Sequence, residues 1–547
     1  MSDTKTSNLS RLLLILRFQQ KEIYNIYIYA IFSGLVALSL PLGIQSIIGF
    51  VMGGAVSVSL ILLIAFVIVG VFLSGLLKVN QMKLTERVQQ QLFMRYSFQY
   101  AESIPNLNLL HVNKYSLPEL SNRFFDVVSL QKSLSKLLLD IPAATIQILF
   151  GLILLSFYHP FFISFGILLL LSLFVIIRYT GNKGLHTSLQ VSDHKYKVAN
   201  YLQELSRTIF NLKFVKRPDW TLTKADNFIF NYLTARTSHF KILMVQYWTL
   251  IAFKVIIVSS MLIVGSYLLI NQQLNIGQFI ATEIVIMSIV ESIEKLVINL
   301  DKVYDTLTSV EKINKLIDIQ KDTEGNADLK LSNAPSIKTQ QLSFSYKDEE
   351  WVLRDMNINI SSGEKVCLMG NTGSGKSTLL KLISGLYEIK QGNIFINDIP
   401  IGNFEPAIYR RSISVMLGGQ DIFEGTIKDN ICLGVSDISE EQLYKYADIT
   451  GLRTYIEKCK KGFEQWIIPM SNHLPEITTR KIMLTRALIH KTPLLLLEHP
   501  WQGLEDLYAT RVKEYLLTAC QNATVIIVTN DQQFADKCSK VITLGKA

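Results

Sequence analysis

The stretch Lys365-Val-Cys-Leu-Met-Gly370-Asn371-Thr372-Gly373-Ser374-Gly375-Lys376-Ser377-Thr378-Leu-Leu decides the fold of the C-terminal half. Lys365–Met369 is a short apolar run that predicts a strand, and Lys376–Leu386 opens a helix at leucine spacing. Between them the chain spells G-x-x-x-x-G-K-[ST] in the strand-to-helix context that gives this spelling its meaning. Glycines let backbone N–H groups wrap a chain of phosphates, and the helix N-terminus adds a favourable dipole. Lys376 neutralises β- and γ-phosphate charge, and the Ser377 hydroxyl is a ligand for Mg2+. A bare glycine-rich turn is the plain alternative, but the complete motif in its proper context favours a nucleotide site.

Moving outward, short apolar strands alternate with helical patterns from Ser336 to the C-terminus, the signature of an α/β domain. A polar stretch, Gln320–Pro335, separates that domain from a very different N-terminal half. There, six apolar runs long enough to cross a bilayer are expected at Ile23–Phe50, Val56–Leu77, Leu137–Tyr158, Phe161–Tyr179, Tyr247–Ile270 and Ile276–Leu300. The boundaries read as membrane domain 1–320, linker 321–335 and nucleotide-binding domain 336–547. Composition agrees: 18% of residues are charged and 49% are hydrophobic, against about 25% charged in soluble proteins. A wholly soluble or disordered chain is excluded.

The connections Val51–Ala55, His159–Pro160 and Asn271–Asn275 carry no Lys, Arg, Asp or Glu, whereas those from Lys78 to Lys136 and from Gly181 to Gln246 are long and basic. The positive-inside rule places the latter two, with both termini, in the cytoplasm. The net charge of +9 therefore belongs to cytoplasmic loops facing membrane lipid, and no nucleic-acid partner is expected. The five cysteines show no metal-ligand spacing and read as reduced. Inside the spans, Lys254 is expected to pair with Glu291 or Glu294. With Glu283 these glutamates fall in a sector of about 80° on one helix face. Pairing and a substrate-lining role are the two readings of that face. Tyr24, Tyr27 and Tyr29 read as an interfacial belt.

Six spans with long cytosolic loops followed by this phosphate loop resemble an ABC transporter of the exporter type, over nearly the whole chain. Tyr346 in Ser343-Phe-Ser-Tyr346 sits where that family stacks an aromatic on adenine. Trp351–Ile358, Gly392–Asn397 and Phe423–Ile431 resemble the neighbouring family segments. Pro118–Asp126 and Gln203–Phe210 resemble the two intracellular loops that dock on nucleotide-binding domains. The residues ahead of Ile23 are too few for a peptidase-like domain.

The resemblance implies ATP and Mg2+ as cofactors, held by Tyr346, Gly370, Asn371, Thr372, Gly373, Ser374, Gly375, Lys376, Ser377 and Thr378. The metal falls to Ser377 and Glu498. The catalytic positions nevertheless depart from the family pattern. Gly418 stands for the Q-loop glutamine, with Gln420 two residues away. Leu474-Pro-Glu-Ile-Thr478 stands for the signature LSGGQ, and Glu498 stands for the Walker B aspartate. His499 replaces the catalytic glutamate and Asn530 the switch histidine.

In the family, each ATP lies between one chain's Walker motifs and the other chain's signature, so these changes touch both composite sites. The expected protein is a half-size exporter subunit of the plasma (inner) membrane, working as a homodimer or as a heterodimer with another half-transporter. ATP hydrolysis is expected to be impaired and the substrate is unspecified. The alternative is a non-hydrolysing regulatory or scaffold subunit of an export or secretion assembly, with a periplasmic adaptor as a further partner. An ATP-gated channel is a third reading.

Overall fold

A computed structural model describes residues 8–53, 58–112, 115–159, 161–217, 219–323, 325, 330–347, 350–469 and 474–545. The first residues of the expected second span and part of the stretch Gln320–Pro335 lie outside them. The chain divides into two units: Met1–Pro105 with Tyr115–Ile319, and Asn106–Lys114 with Gln320–Ala547.

In the first unit, helical stretches at Gln20–Met52, Val58–Asn106, Leu117–Tyr158, Gly166–Arg207, Trp220–Ile270 and Ile276–Ile317 are long and apolar enough to cross a membrane. Each falls on one of the six expected spans. Several run far beyond a bilayer. Val58–Ser103 has 46 residues, about 69 Å at 1.5 Å per residue, against a hydrocarbon core of about 30 Å. The excess runs on into the connection that begins at Lys78, where apolar residues at helical spacing predict such an extension. Ile61, Leu62, Phe66 and Ile68 of this helix are 63–67% exposed, as side chains facing lipid tails would be.

The first span is broken. Pro41 has no N–H to donate, and its ring crowds the carbonyl four residues back. One helix accordingly ends at Ala37 and the next begins at Ser39. Between the fifth and sixth spans the turn closes on a capping box: Asn275 Oδ1 accepts the Gln278 N–H at 2.7 Å, and Gln278 Oε1 accepts the Asn275 N–H at 2.9 Å. Lys254 donates to Glu294 Oε2 at 3.3 Å, whereas Glu283 and Glu291 are exposed on the same helix.

The second unit carries a parallel sheet in the order Lys540–Leu544, Lys365–Gly370, Thr524–Val528, Leu494–Glu498, Ile413–Met416. The runs Leu494–Leu497 and Thr524–Val528 are buried throughout, because a parallel strand covered on both faces has no side left for polar residues. An antiparallel sheet of Trp351–Met356, Ile337–Ser345, Gln391–Ile396 and Ile399–Pro400 lies alongside, with Asn359–Ile360 paired to its second strand. One apolar core unites this sheet with the helix Lys376–Ile383, and a second fills the helical side around Ile482, Leu488 and Val512.

Part of the long connection between the second and third spans belongs to this unit. Leu107 bridges to Lys321, the Asn108 N–H donates to the Gln320 carbonyl at 2.9 Å, and Leu110 packs on the apolar core. Leu117–Asn122, which overlaps the resemblance to a docking loop, is a short helix of the membrane unit.

Candidate functional site

The phosphate loop is built by backbone geometry that only glycine adopts without strain. Gly370, Gly373 and Gly375 have φ of 139°, 85° and 86°. At Gly375 space also forbids a side chain: a Cβ there would lie 2.9 Å from the Val352 carbonyl oxygen. Gly375 then starts the helix Lys376–Ile383 with no side-chain cap, so its first N–H groups remain available to an anion. Asn371, Thr372 and Gly373 are exposed at the crest of the loop, and Ser374 is buried beneath it. The Lys376 ammonium donates to the carbonyls of Gly370 and Asn371 at 2.7 and 2.8 Å, which holds the charge over the loop.

Tyr346 closes one side. Its hydroxyl lies 3.0 Å from Thr378 Oγ1, and its ring meets those of Phe344 and Tyr387 edge-on at 5.1 and 5.4 Å. The ring is 38% exposed, which leaves a face for stacking, and burial of the rest pushes the phenol pKa up.

Glu498, at the end of its strand, reaches across to the helix. One carboxylate oxygen accepts the Ser377 hydroxyl, and the other accepts the Gly418 N–H at 2.6 Å. A hydroxyl and a carboxylate held together beside a phosphate loop are the hard oxygen donors that suit Mg2+. Ser377 and Glu498 would hold the ion, and the helix terminus with Lys376 would hold the nucleotide phosphates. Gln420 does not share this role, because its Oε1 accepts the Leu417 N–H at 3.0 Å within its own loop.

His499 has φ of 47°, a left-handed conformation that raises the energy of a residue with a Cβ by about 1–2 kcal/mol. Its N–H donates to the Val528 carbonyl and its carbonyl accepts from Arg480, both at 2.9 Å. Burial pushes the imidazole pKa below its ordinary value and outweighs the adjacent Glu498 carboxylate, which pulls the other way. Burial thus favours the neutral ring. Asn530 is exposed just past the strand Thr524–Val528.

Pro475 occupies the cap of the helix Glu476–Ile489 and forms no side-chain cap. Glu476 stands in the first turn, where its carboxylate is favoured by the helix terminus and repels another anion. Leu474 packs against the helical core. Sequence reasoning had no access to the Gly418 N–H or to Arg480, since a backbone donor and a guanidinium braced on a carbonyl leave no motif.

The described residues contain no cluster of three or more His, Cys, Asp or Glu side chains that could hold a metal by themselves. The metal site offered here is of the phosphate-loop kind.

Comparison with known proteins follows the same division. Residues 23–292 match the family "ABC transporter transmembrane region", and residues 353–502 match the family "ABC transporter". The glutathione/L-cysteine transport system ATP-binding/permease protein CydC of Escherichia coli (strain K12) is 27% identical over 240 residues, 44% of this chain and 42% of that protein. The lactococcin-G-processing and transport ATP-binding protein LagD of Lactococcus lactis subsp. lactis is 28% identical over 279 residues, 50% of this chain and 39% of that protein. The matched part thus spans about two fifths of these relatives. A solved bacterial Atm1-family ABC exporter with ATP bound superposes with a TM-score of 0.86 at 15% identity, covering 96% of this chain and 93% of that one. At that identity the likeness is one of fold.

Proposed function

The chain belongs to the ABC transporter family, as a multi-pass membrane region followed by a nucleotide-binding domain, and on that premise we propose that it is one half of a dimeric exporter that binds MgATP and hydrolyses it slowly. The observation that carries slow hydrolysis is position 499, where a histidine on a strained backbone stands in place of a fixed negative charge. Loss of a base or water-orienting group removes a contribution of about 10²–10⁴-fold. On the other side of each composite site, Pro475 and Glu476 offer no hydroxyl and add a repelling carboxylate. Homodimer and heterodimer alike then have both ATP sites altered.

ATP binding closes the two nucleotide-binding domains, and the helical extensions carry that motion to the spans. The membrane is the plasma membrane in this reading, and the basic connections support both termini in the cytoplasm. Phosphate release measured on the purified chain in lipid nanodiscs, alone and mixed with a half-transporter whose motifs are intact, tests this reading. Slow but Lys376-dependent release supports it, and brisk release by the chain alone refutes it. A second reading, a non-hydrolysing regulatory or scaffold subunit, is favoured by the alteration of both sides of the site. It predicts analogue binding with no release in either mixture.

A further inference from the structure

Gly418 has no backbone reason to be glycine. Its φ lies outside the left-handed region, unlike that of its neighbour Gly419 at 91°. The reason is space: a Cβ at 418 would lie 3.1 Å from Glu498 Oε2 and 3.5 Å from its carboxyl carbon, so the carboxylate fills the place of a side chain at 418. The same carboxylate takes both the Gly418 N–H and the Ser377 hydroxyl, spanning the gap between the phosphate-loop helix and the loop Leu417–Gln420. Gln420 is folded back onto Leu417 and leaves that gap to Glu498.

We propose that Gly418 and Glu498 are a matched pair, in which the bare backbone at 418 admits the longer carboxylate. Glu498 alone then positions Ser377 and the loop around the metal that accompanies the nucleotide. The inference rests on the nucleotide reading of the site. It makes Glu498 both a holder of that metal and the group that orients its neighbours, with a side-chain length specified by a position 80 residues away in sequence. An aspartate at 498 draws the carboxylate back by one methylene, about 1.5 Å, and loses the Gly418 N–H. A glutamine at 418 pushes the Glu498 carboxylate off Ser377. Made together, the two changes relieve each other, because the withdrawn carboxylate vacates the space that the new side chain fills.

The test is a double-mutant cycle on the full chain in lipid nanodiscs, with Mn2+ as the spin-active metal and a non-hydrolysable ATP analogue as the nucleotide. Mn2+ affinity of the analogue-loaded protein is read by electron paramagnetic resonance, and analogue affinity is read separately in the presence of a chelator. Glu498→Asp and Gly418→Gln should each weaken Mn2+ binding by about tenfold or more, as loss of a ligand-orienting partner does. The double variant should recover most of that loss. Analogue affinity without metal should fall far less than Mn2+ affinity in all three.

Losses that multiply in the double variant overturn the pairing. Gly418→Ala, which adds only the crowded Cβ, guards against a folding defect. Its Mn2+ affinity should fall while its melting temperature stays near that of the parent, and an unchanged Mn2+ affinity also overturns the pairing. No measurable analogue binding by the parent chain overturns the nucleotide reading and this inference with it.

Discussion

Restoring His499 to glutamate should leave a self-assembled dimer slow. The carboxylate would regain an acid–base and water-orienting contribution of about 10²–10⁴-fold. The opposing half of each site would still present Pro475 and Glu476. A proline cap has no N–H, the Thr478 and Thr479 N–H groups are both turned to the Pro475 carbonyl at 2.9 and 3.3 Å, and Glu476 already occupies the positive end of the helix. Loss of one donor to the developing charge removes about 10²–10³-fold, or about 3–4 kcal/mol at 1.36 kcal/mol per decade. The substitution His499→Glu alone should therefore raise turnover by less than about tenfold. Combined with Pro475→Ser, Glu476→Gly, Ile477→Gly and Thr478→Gln, it should raise turnover at least about a hundred times further, since groups acting as a unit are strongly non-additive. Ile477 is half-buried and Thr478 only 4% exposed, so the melting temperature is followed beside the rate to separate chemistry from folding. The assay is steady-state phosphate release in nanodiscs, with Lys376→Ala as the blank. Full turnover from His499→Glu alone would refute the composite-site reasoning.

Removing the Tyr346 ring with Tyr346→Ala should weaken ATP and AMP binding alike by about 1–3 kcal/mol, whereas Lys376→Ala should weaken ATP far more than AMP. Equilibrium titration checks both, and equal losses of the two nucleotides in the Lys376 variant would contradict a phosphate role. Lys254→Glu and Glu294→Lys should each lower the melting temperature in lipid, and the charge-swapped double variant should recover about 0.5–2 kcal/mol of the combined loss. A double variant no better than the sum of the singles removes the pair. Burial depresses the pKa of His490 and His499 from their ordinary 6.5. Their neutral forms thus support folding above that pH, and the support is lost as pH falls through the lowered folded values, because the unfolded state takes up more protons. Chemical unfolding at about pH 7.5 and 5.5 should show a smaller acid loss in His490→Gln than in the parent.

The fold was legible wherever one side chain type had one physical use. The glycines of the phosphate loop predict a backbone free to wrap phosphates, and the three that frame it have positive φ. Six apolar runs predict six spans, and the helical periodicity of the long connections predicts helices that outrun the bilayer. Depth along the span narrows the partner of Lys254 to Glu291 or Glu294 but cannot choose, since residues three apart share a face and differ by less than a turn; the structure gives Glu294. The glycine at 418 read only as a missing glutamine, because the carboxylate that needs its space comes from another strand. The resemblance drew attention to Pro118–Asp126, while Leu107 and Leu110, just upstream, join the nucleotide-binding unit. Two leucines in a basic loop carry no signal of what they will cover.

That borrowed segment ties the maturation of the nucleotide-binding unit to the clock of synthesis. Leu107 pairs with Lys321, and everything between them must be made first. At about 5–20 residues per second, Leu107 waits roughly ten to forty seconds for its partner. During that interval four of the six spans are made, and the unpaired N–H and C=O groups around Leu107 stay in water. A C-terminal fragment cut at the polar stretch would be born without the segment that covers its core at Leu110, and would begin life with an apolar patch facing solvent.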